Sequence, residues 1–230
     1  MASDFIVVGG GLVGASVAYG LLKSGATVTV LDEGDAAFRA SRGNFGLVWV
    51  QSKGDGMHEY AAWSRESSDL WPDFAERLGE ETGINVGHHR PGGLELCLDE
   101  AEYKDFENSI NRMHNQSSVG ENGRRMLSGD EVRRMEPSVG PEVVGASYCP
   151  YDGIVNPLYT LRALHQKCIE TGMIYRSDHI VEKIIPQSPG FKVITSKGDF
   201  IGDKVILAAG NGNRNLGECV GLNIPTGPER

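Results

Sequence analysis

No run of apolar residues in this sequence approaches the ~20 needed to cross a bilayer. The chain passes almost at once into Phe5-Ile6-Val7-Val8, with neither the basic n-region nor the long apolar core of a signal peptide. The expectation is a cytoplasmic protein without a membrane span, peripheral attachment to the inner membrane being the one membrane role left open. Basic residues are scarce: 22 Lys and Arg stand against 31 Asp and Glu, a formal net charge of −9. The pairs Arg124-Arg125 and Arg133-Arg134 do not make the basic stripe that phosphate-backbone binding requires, so nucleic acid is not an expected partner. Of the four cysteines, Cys97, Cys149, Cys168 and Cys219, none forms a C-x-x-C pair or has a histidine at metal-ligand spacing, which points to reduced thiols and no metal. Low-complexity tracts are missing too, and with 40% apolar and 23% charged residues the composition is that of a globular chain. Its 230 residues suffice for one sizeable core and are short for two complete domains.

What is present begins with a βαβ pattern. Residues 5–8 form a short continuous apolar run, as in a strand buried on both faces, and end in Gly9-Gly10-Gly11. A helix is predicted over residues 12–24, with Val13, Val17 and Leu21 recurring every four positions, Ala15 and Ala18 small enough for close packing and Gly25 as its stop, and residues 27–31 read as a second strand. Residues 36–56 are rich in Gly, Ser and Asn without a helical period and read as a loop. Residues 57–78 read as a helix with Leu70, Trp71, Phe74 and Leu78 on one face and a kink at Pro72; Trp63 and Trp71 are assigned to the core.

Composition changes near Gly83. Beyond it come a short strand over residues 93–98, a polar helix after Asp99, an Asn/Ser/Gly stretch over 115–123, and the capping box Ser128-x-x-Glu131. Asn156-Pro157 supplies an N-cap and an N1 proline for a helix striped with Leu161, Leu164 and Cys168 and closed by Gly172. Four β-like runs follow, over residues 173–176, 180–185, 191–196 and 204–208, the last read as a fully buried strand. The chain thus returns to its first sheet after an insertion. The predicted class is α/β: a Rossmann-like FAD-binding domain from residues 1–83 and 151–217, and an inserted, incomplete α+β substrate domain from 84–150. Residues 218–230 would begin a truncated return to that domain, and the chain is expected to be the N-terminal part of a longer protein.

The chemistry sits at Gly9-x-Gly11-x-x-Gly14, which follows a buried strand and opens a helix. Gly9 permits the tight turn, Gly11 lets a pyrophosphate approach the backbone, and Gly14 lets helix and sheet pack closely. Asp32, at the end of the second strand, is placed to accept from an adenosine ribose. These residues admit both NAD and FAD, which share the ADP half. The small, polar run Ala40-Ser41-Arg42-Gly43-Asn44-Phe45-Gly46, standing where simple NAD dehydrogenases continue into another helix, suits an extended segment along a diphosphate and flavin.

Together with Val30-Leu31-Asp32, Asp152-Gly153-Ile154-Val155-Asn156-Pro157 and the terminal strand, these motifs resemble the FAD-dependent D-amino-acid oxidase superfamily, which includes glycine oxidase, sarcosine oxidase and D-amino-acid dehydrogenases. The likeness runs over essentially the whole chain. The segment from Ser41 through Trp49 to Gln51 is most similar to the β subunits of bacterial opine oxidases, hydroxyproline dehydrogenases and hydrogen cyanide synthase. The resemblance implies that Leu12 and Val13 lie over the diphosphate by backbone, Asp32 and Glu33 at the ribose, and Ala40 and Ser41 near the diphosphate. It further implies that Phe45, Gly46 and Leu47 approach the ribityl and isoalloxazine, that Val181 presents its peptide to adenine, and that Ala209 and Gly210 close over the nucleotide. Asp32 departs from the glutamate more common at that position.

The implied reaction is oxidation of a carbon bearing an amine, in an amino acid or secondary amine such as glycine, a D-amino acid, proline, hydroxyproline or an opine, with hydride passing to the flavin; a hetero-oligomer would pass the electrons to partner subunits or a respiratory acceptor. No general base is nominated, because a neutral amine needs none. Asn44, Trp49, Gln51 and Lys53 are the candidates for the flavin edge. The adjacent His88 and His89 point to opposite sides of a strand and are not read as ligands, and His58, His114, His165 and His179 share no spacing and receive no role. The alternatives left open are a hydroxy-acid oxidoreductase on the same fold, a truncated chain without activity, and an NAD-dependent dehydrogenase, for which no nicotinamide pocket can be placed.

Overall fold

The computed structural model describes residues 3–34, 40–114 and 123–227. Along the chain run β1 (Ser3–Val8), α1 (Leu12–Lys23), β2 (Val28–Leu31), β3 (Leu47–Val48), α2 (His58–Thr82), β4 (Gly93–Cys97), α3 (Glu100–His114), β5 (Arg125–Ser128) and α4 (Gly129–Met135). Then come β6 (Gly145–Cys149), β7 (Gly153–Ile154), α5 (Pro157–Glu170), β8 (Ile174–Arg176), β9 (Val181–Pro186), β10 (Phe191–Thr195), β11 (Gly198–Leu207) and α6 (Asn213–Glu218). The chain divides into two compact units, the first comprising Met1–Asn44, Leu78–Val86 and Pro157–Arg230, the second Phe45–Arg77 and Gly87–Asn156. This division groups residues 45–77 with the insertion, and its boundary falls inside α2.

The first unit is the Rossmann-like part. Its six-stranded sheet has the order β8-β2-β1-β11-β10-β9, with β8, β2, β1 and β11 parallel and the β11-β10-β9 meander antiparallel. Ile6, Val7, Val28, Val30 and Leu31 are buried, as a strand run covered on both faces demands. On α1 the expected close-packing residues Gly14, Ala15 and Ala18 are buried together with Tyr19 and Leu22, whereas Val13, read as part of the apolar stripe, is 67% exposed. Close packing against α5 favours the small residues, and the Cys168 thiol of α5 reaches the Ala15 carbonyl at 3.7 Å. α5 begins at Pro157 and buries Thr160, Ala163, Leu164 and Cys168, each fully buried leucine-sized side chain being worth about 1.5–3 kcal/mol. β11 is half-buried rather than sealed: Val205 and Leu207 lie against the cluster of Ile6, Val8, Leu31, Ile184 and Val193, and the strand's alternate positions are only partly covered.

The second unit carries an antiparallel sheet β4-β6-β5 and the short ribbon β3-β7, which gives the expected loop of residues 36–56 a strand of its own. Its core cluster is Leu127, Val132, Val143 and Ala146. α4 opens with the anticipated capping box, Glu131 answering Ser128 at the helix entrance. Pro72 sits within α2. Trp63, assigned to the core from its helical spacing, is 70% exposed, because the positions of α2 that turn inward are Ala61, Ser68 and Leu78. The run of residues 115–123 lies, apart from Gly123, outside the described residues. No helix among the described residues is long and apolar enough to cross a membrane.

Candidate functional site

In the first unit β1 ends at Val8 and the chain turns at Gly9, whose φ of +106° is open only to glycine at low cost. A Cβ there would lie 2.4 Å from the Ala208 carbonyl oxygen and 3.0 Å from the Ala209 Cα, which places the end of β11 directly beside the turn. At Gly14 a Cβ would come within 1.9 Å of the Gly9 oxygen, so this glycine lets α1 start against its own turn. Gly11 is the N-cap of α1 in extended conformation and provides no side-chain cap. The Leu12 N–H instead donates to Ser41 Oγ at 2.9 Å.

Asp32 closes this loop from the other side. Its Oδ2 accepts from the Gly10 N–H at 2.7 Å and its Oδ1 from the Gly34 N–H at 2.9 Å, and the residue is buried. One methylene shorter than glutamate, the side chain is drawn to the turn it ends on. Glu33, next to it, is exposed. The structure therefore brings Gly9, Gly11, Leu12, Val13, Gly14, Asp32, Ser41 and Ala209 together at the positive end of α1, with Val13 projecting outward. Ala40 is exposed in the same turn; the Ala209 N–H donates to Asn213 Oδ1 at 2.7 Å, and Gly210 turns at φ +57°. Val181 opens β9 opposite Thr195.

His165, given no role from the sequence, reaches this loop: its Nε2 lies 2.7 Å from the Gly10 carbonyl oxygen. Its position on α5, remote in sequence from the glycines, leaves no local signal. Asn44 closes the turn that carries Ser41, its Nδ2 donating to the Ala40 and Ser41 carbonyls at 3.2 and 3.1 Å.

The second unit holds the remaining candidates. Phe45 and Leu47 are 88% and 52% exposed, and Leu47 lies opposite Ile154 of β7, itself 45% exposed, so the β3-β7 ribbon presents an apolar strip. The Gly46 carbonyl accepts from the Val155 N–H at 2.8 Å. Ile154 stands in a motif noted in the sequence, yet only the pairing reveals that it shares a face with Leu47.

Behind this ribbon the chain is held by Asp152. Its Oδ1 accepts from the Val50 N–H at 2.5 Å and the Gln51 N–H at 3.2 Å, and the residue is fully buried. Burial pushes its carboxyl above the ordinary aspartate value, against the pull of those two N–H groups. Gly93 leaves it room, since a Cβ there would meet Asp152 Oδ2 and the Trp49 ring at 2.7 Å. Arg124, its side chain wholly buried, donates to Ser147 Oγ at 2.7 Å and to Glu95 Oε2 at 3.1 Å, while Ser147 donates to Gln51 Oε1 at 2.9 Å. Trp49 Nε1 reaches Glu95 Oε1 at 3.3 Å. Trp49 and Gln51 are thus held in this network, whereas Lys53 is exposed beside a small cavity lined also by Gln51, Arg65, Met113 and Arg124. Ser52, between them, takes a left-handed φ of 63°, a strain no sequence pattern announces.

Buried Cys97, Cys149 and Cys168 have thiols pushed up to about 11, chiefly by burial, and are not poised as nucleophiles. His88 stacks on Trp71 with centroids 5.9 Å apart, and the described residues contain no group of three or more His, Cys, Asp or Glu able to hold a metal.

A parallel sheet whose first strand ends in Gly9-x-Gly11-x-x-Gly14, with an acidic side chain at the tip of the second, defines a dinucleotide-binding fold. The chain belongs to the FAD dependent oxidoreductase family, whose model matches residues 4–230. FAD is accordingly its cofactor, and the cradle fits: backbone N–H groups at a helix start whose N-cap glycine supplies no side chain, and glycines where a Cβ would collide. The chain is 40% identical over 226 residues to the B subunit of opine oxidase from Rhizobium meliloti, covering 96% of this chain and 60% of that protein. It is 29% identical to the glycine oxidase of Geobacillus kaustophilus, covering 98% of this chain and 59% of the relative. The crystal structure of glycine oxidase from that organism superposes with a TM-score of 0.85 at 28% identity, covering 97% of this chain and 59% of the other. The chain thus spans about three-fifths of the length of these relatives.

Proposed function

We propose that the protein oxidises the C–N bond of an amino acid or secondary amine of the opine, glycine or proline type. The observation that carries this reading is the 40% identity to an opine oxidase component over nearly the whole chain, on a loop whose glycines and Asp32 are built for the nucleotide. Bound FAD supplies the acceptor for hydride leaving the amine-bearing carbon, and water hydrolyses the resulting imine.

The chain's own residues orient and exclude. Gly9, Gly11 and Gly14 let the backbone approach a diphosphate, and the N-terminus of α1 offers main-chain amides with the favourable end of its dipole. Ser41, holding the Leu12 N–H through its oxygen, keeps its hydroxyl proton for an anionic neighbour. Asp32 fixes the turn by accepting from the Gly10 and Gly34 N–H groups, and its carboxylate is an acceptor of the kind a ribose hydroxyl requires. Within the second unit, Phe45, Leu47 and Ile154 form an exposed apolar strip. The opine oxidase relatives are each one component of a multi-subunit enzyme, which supports a hetero-oligomer in which partner subunits receive the electrons.

The test is a visible spectrum of the purified protein before and after anaerobic addition of an opine, proline, hydroxyproline, glycine or sarcosine. Bleaching of the flavin band by one of these is expected. Bleaching by a hydroxy acid alone would overturn the amine reading, and a protein that binds no flavin would overturn the cofactor.

A further inference from the structure

One peptide of the glycine loop is not fixed by its own sterics. The Gly10–Gly11 peptide is flanked by glycine on both sides, so its plane can turn over with little penalty. The two orientations are not equivalent to an anion. In a trans peptide the C=O and N–H point in opposite directions, so a flip exchanges the donor and acceptor ends that the loop presents. Because Gly11 is the N-cap of α1, this peptide lies at the mouth of the helix. A carbonyl turned toward that mouth opposes a diphosphate, whereas an N–H attracts it.

The structure shows which orientation is held and by what. The Gly10 carbonyl accepts from His165 Nε2 at 2.7 Å; since a carbonyl can only accept, Nε2 carries the proton. His165 stands on α5, which packs against α1, and its ring meets Tyr175 edge-on at 4.8 Å between centroids. Tyr175 in turn lies against Gly10, where a Cβ would come within 2.9 Å of its Cε2. The Gly11 N–H, which no described residue accepts, points away from this anchor.

We infer that His165 is a positioning residue for FAD: by donating to the Gly10 carbonyl it holds the Gly10–Gly11 peptide with its N–H on the diphosphate side. The inference rests on FAD being the ligand and on this chain's own geometry for the rest. It assigns a role to a side chain that bonds to the loop through the Gly10 carbonyl, and it makes α5 part of the nucleotide site.

Two variants separate the donor from the ring. His165→Phe keeps an aromatic edge against Tyr175 but cannot donate; His165→Gln loses the ring but can donate from a comparable position. Titrating flavin-stripped protein with FAD and following quenching of flavin fluorescence, we expect the Phe variant to raise Kd about fivefold, the equivalent of about 1 kcal/mol. The Gln variant is expected to recover most of the affinity, with the melting temperature of both flavin-stripped variants near that of the unsubstituted protein. Unchanged affinity in the Phe variant, or equal weakening in both, would overturn the inference, the second outcome assigning the effect to packing. The unsubstituted protein gives an independent check through the ¹⁵N shifts of His165. Protonation at Nε2 with a bare or separately bonded Nδ1 supports the inference, and the opposite tautomer overturns it even if neither variant folds. Failure of the unsubstituted chain to bind FAD would count against the cofactor and would leave the ¹⁵N result to decide the histidine's place.

Discussion

The two units hold their candidate residues by different means. In the first, the loop at the end of β1 is shaped by glycines and by main-chain bonds such as Gly9 N–H to Leu31 O, with Asp32, Ser41 and His165 as side-chain props. In the second, residues 49–52 are held by buried ionisable side chains: Asp152 reaches Val50 and Gln51 across 102 and 101 positions of sequence, and Arg124 works through Ser147. A glycine site fails by collision, because added atoms have nowhere to go. A side-chain clamp fails by vacancy, because removing it leaves buried N–H groups without an acceptor.

The sharpest way to break the first arrangement is Gly14→Val. A Cβ 1.9 Å from the Gly9 oxygen forces the turn to move, so the expected result is loss of the flavin and at least about 3 kcal/mol of stability, read from the flavin-to-protein absorbance ratio and a urea titration. Asp152→Ala is the counterpart in the second unit. Two buried N–H groups lose their acceptor, and about 3 kcal/mol of destabilisation is expected while the first unit retains its loop. Asp32→Ala removes acceptors from Gly10 and Gly34, with about 2 kcal/mol lost and weaker FAD binding by fluorescence titration.

A pH series sharpens the clamp. Burial raises the Asp152 carboxyl above its unfolded value of 3.8, so the folded state holds the extra proton. Its contribution to stability is therefore most favourable below 3.8 and is lost as pH rises through the raised value. Asp152→Asn cannot ionise, and its stability measured against the unsubstituted protein should improve with rising pH over that window. A difference independent of pH would mean that the carboxyl titrates alike in both states. The smallest effect is at the helix entrance of α4, where Ser128→Ala should cost about 1 kcal/mol by loss of the cap and leave flavin affinity alone.

How much of this is legible in the sequence follows the same divide. The demands on Gly9 and Gly14 are local, and the strand, turn and helix they join are adjacent in the chain, so the nucleotide loop can be read directly. On α1 the small residues Gly14, Ala15 and Ala18 are legible as close-packing positions, but hydrophobicity wrongly adds Val13, which helix packing leaves outside. Trp63 is misplaced for a related reason: spacing on α2 does not say which side turns inward. The Asp152 clamp and the His165 contact join residues far apart in the chain, and no periodicity encodes such a meeting. The motif singles out Ser41, but nothing local in the sequence shows its bond to the Leu12 N–H.

The cysteines carry a practical consequence. Three of the four are buried with thiols held up at about 11, and only Cys219, just past α6, is exposed. A maleimide dye applied to the folded protein should therefore attach at one position, close in sequence to Ala209 and Gly210. These 230 residues thus carry their own attachment point for a fluorophore, and energy transfer between that dye and the flavin could follow cofactor loading without any engineered residue.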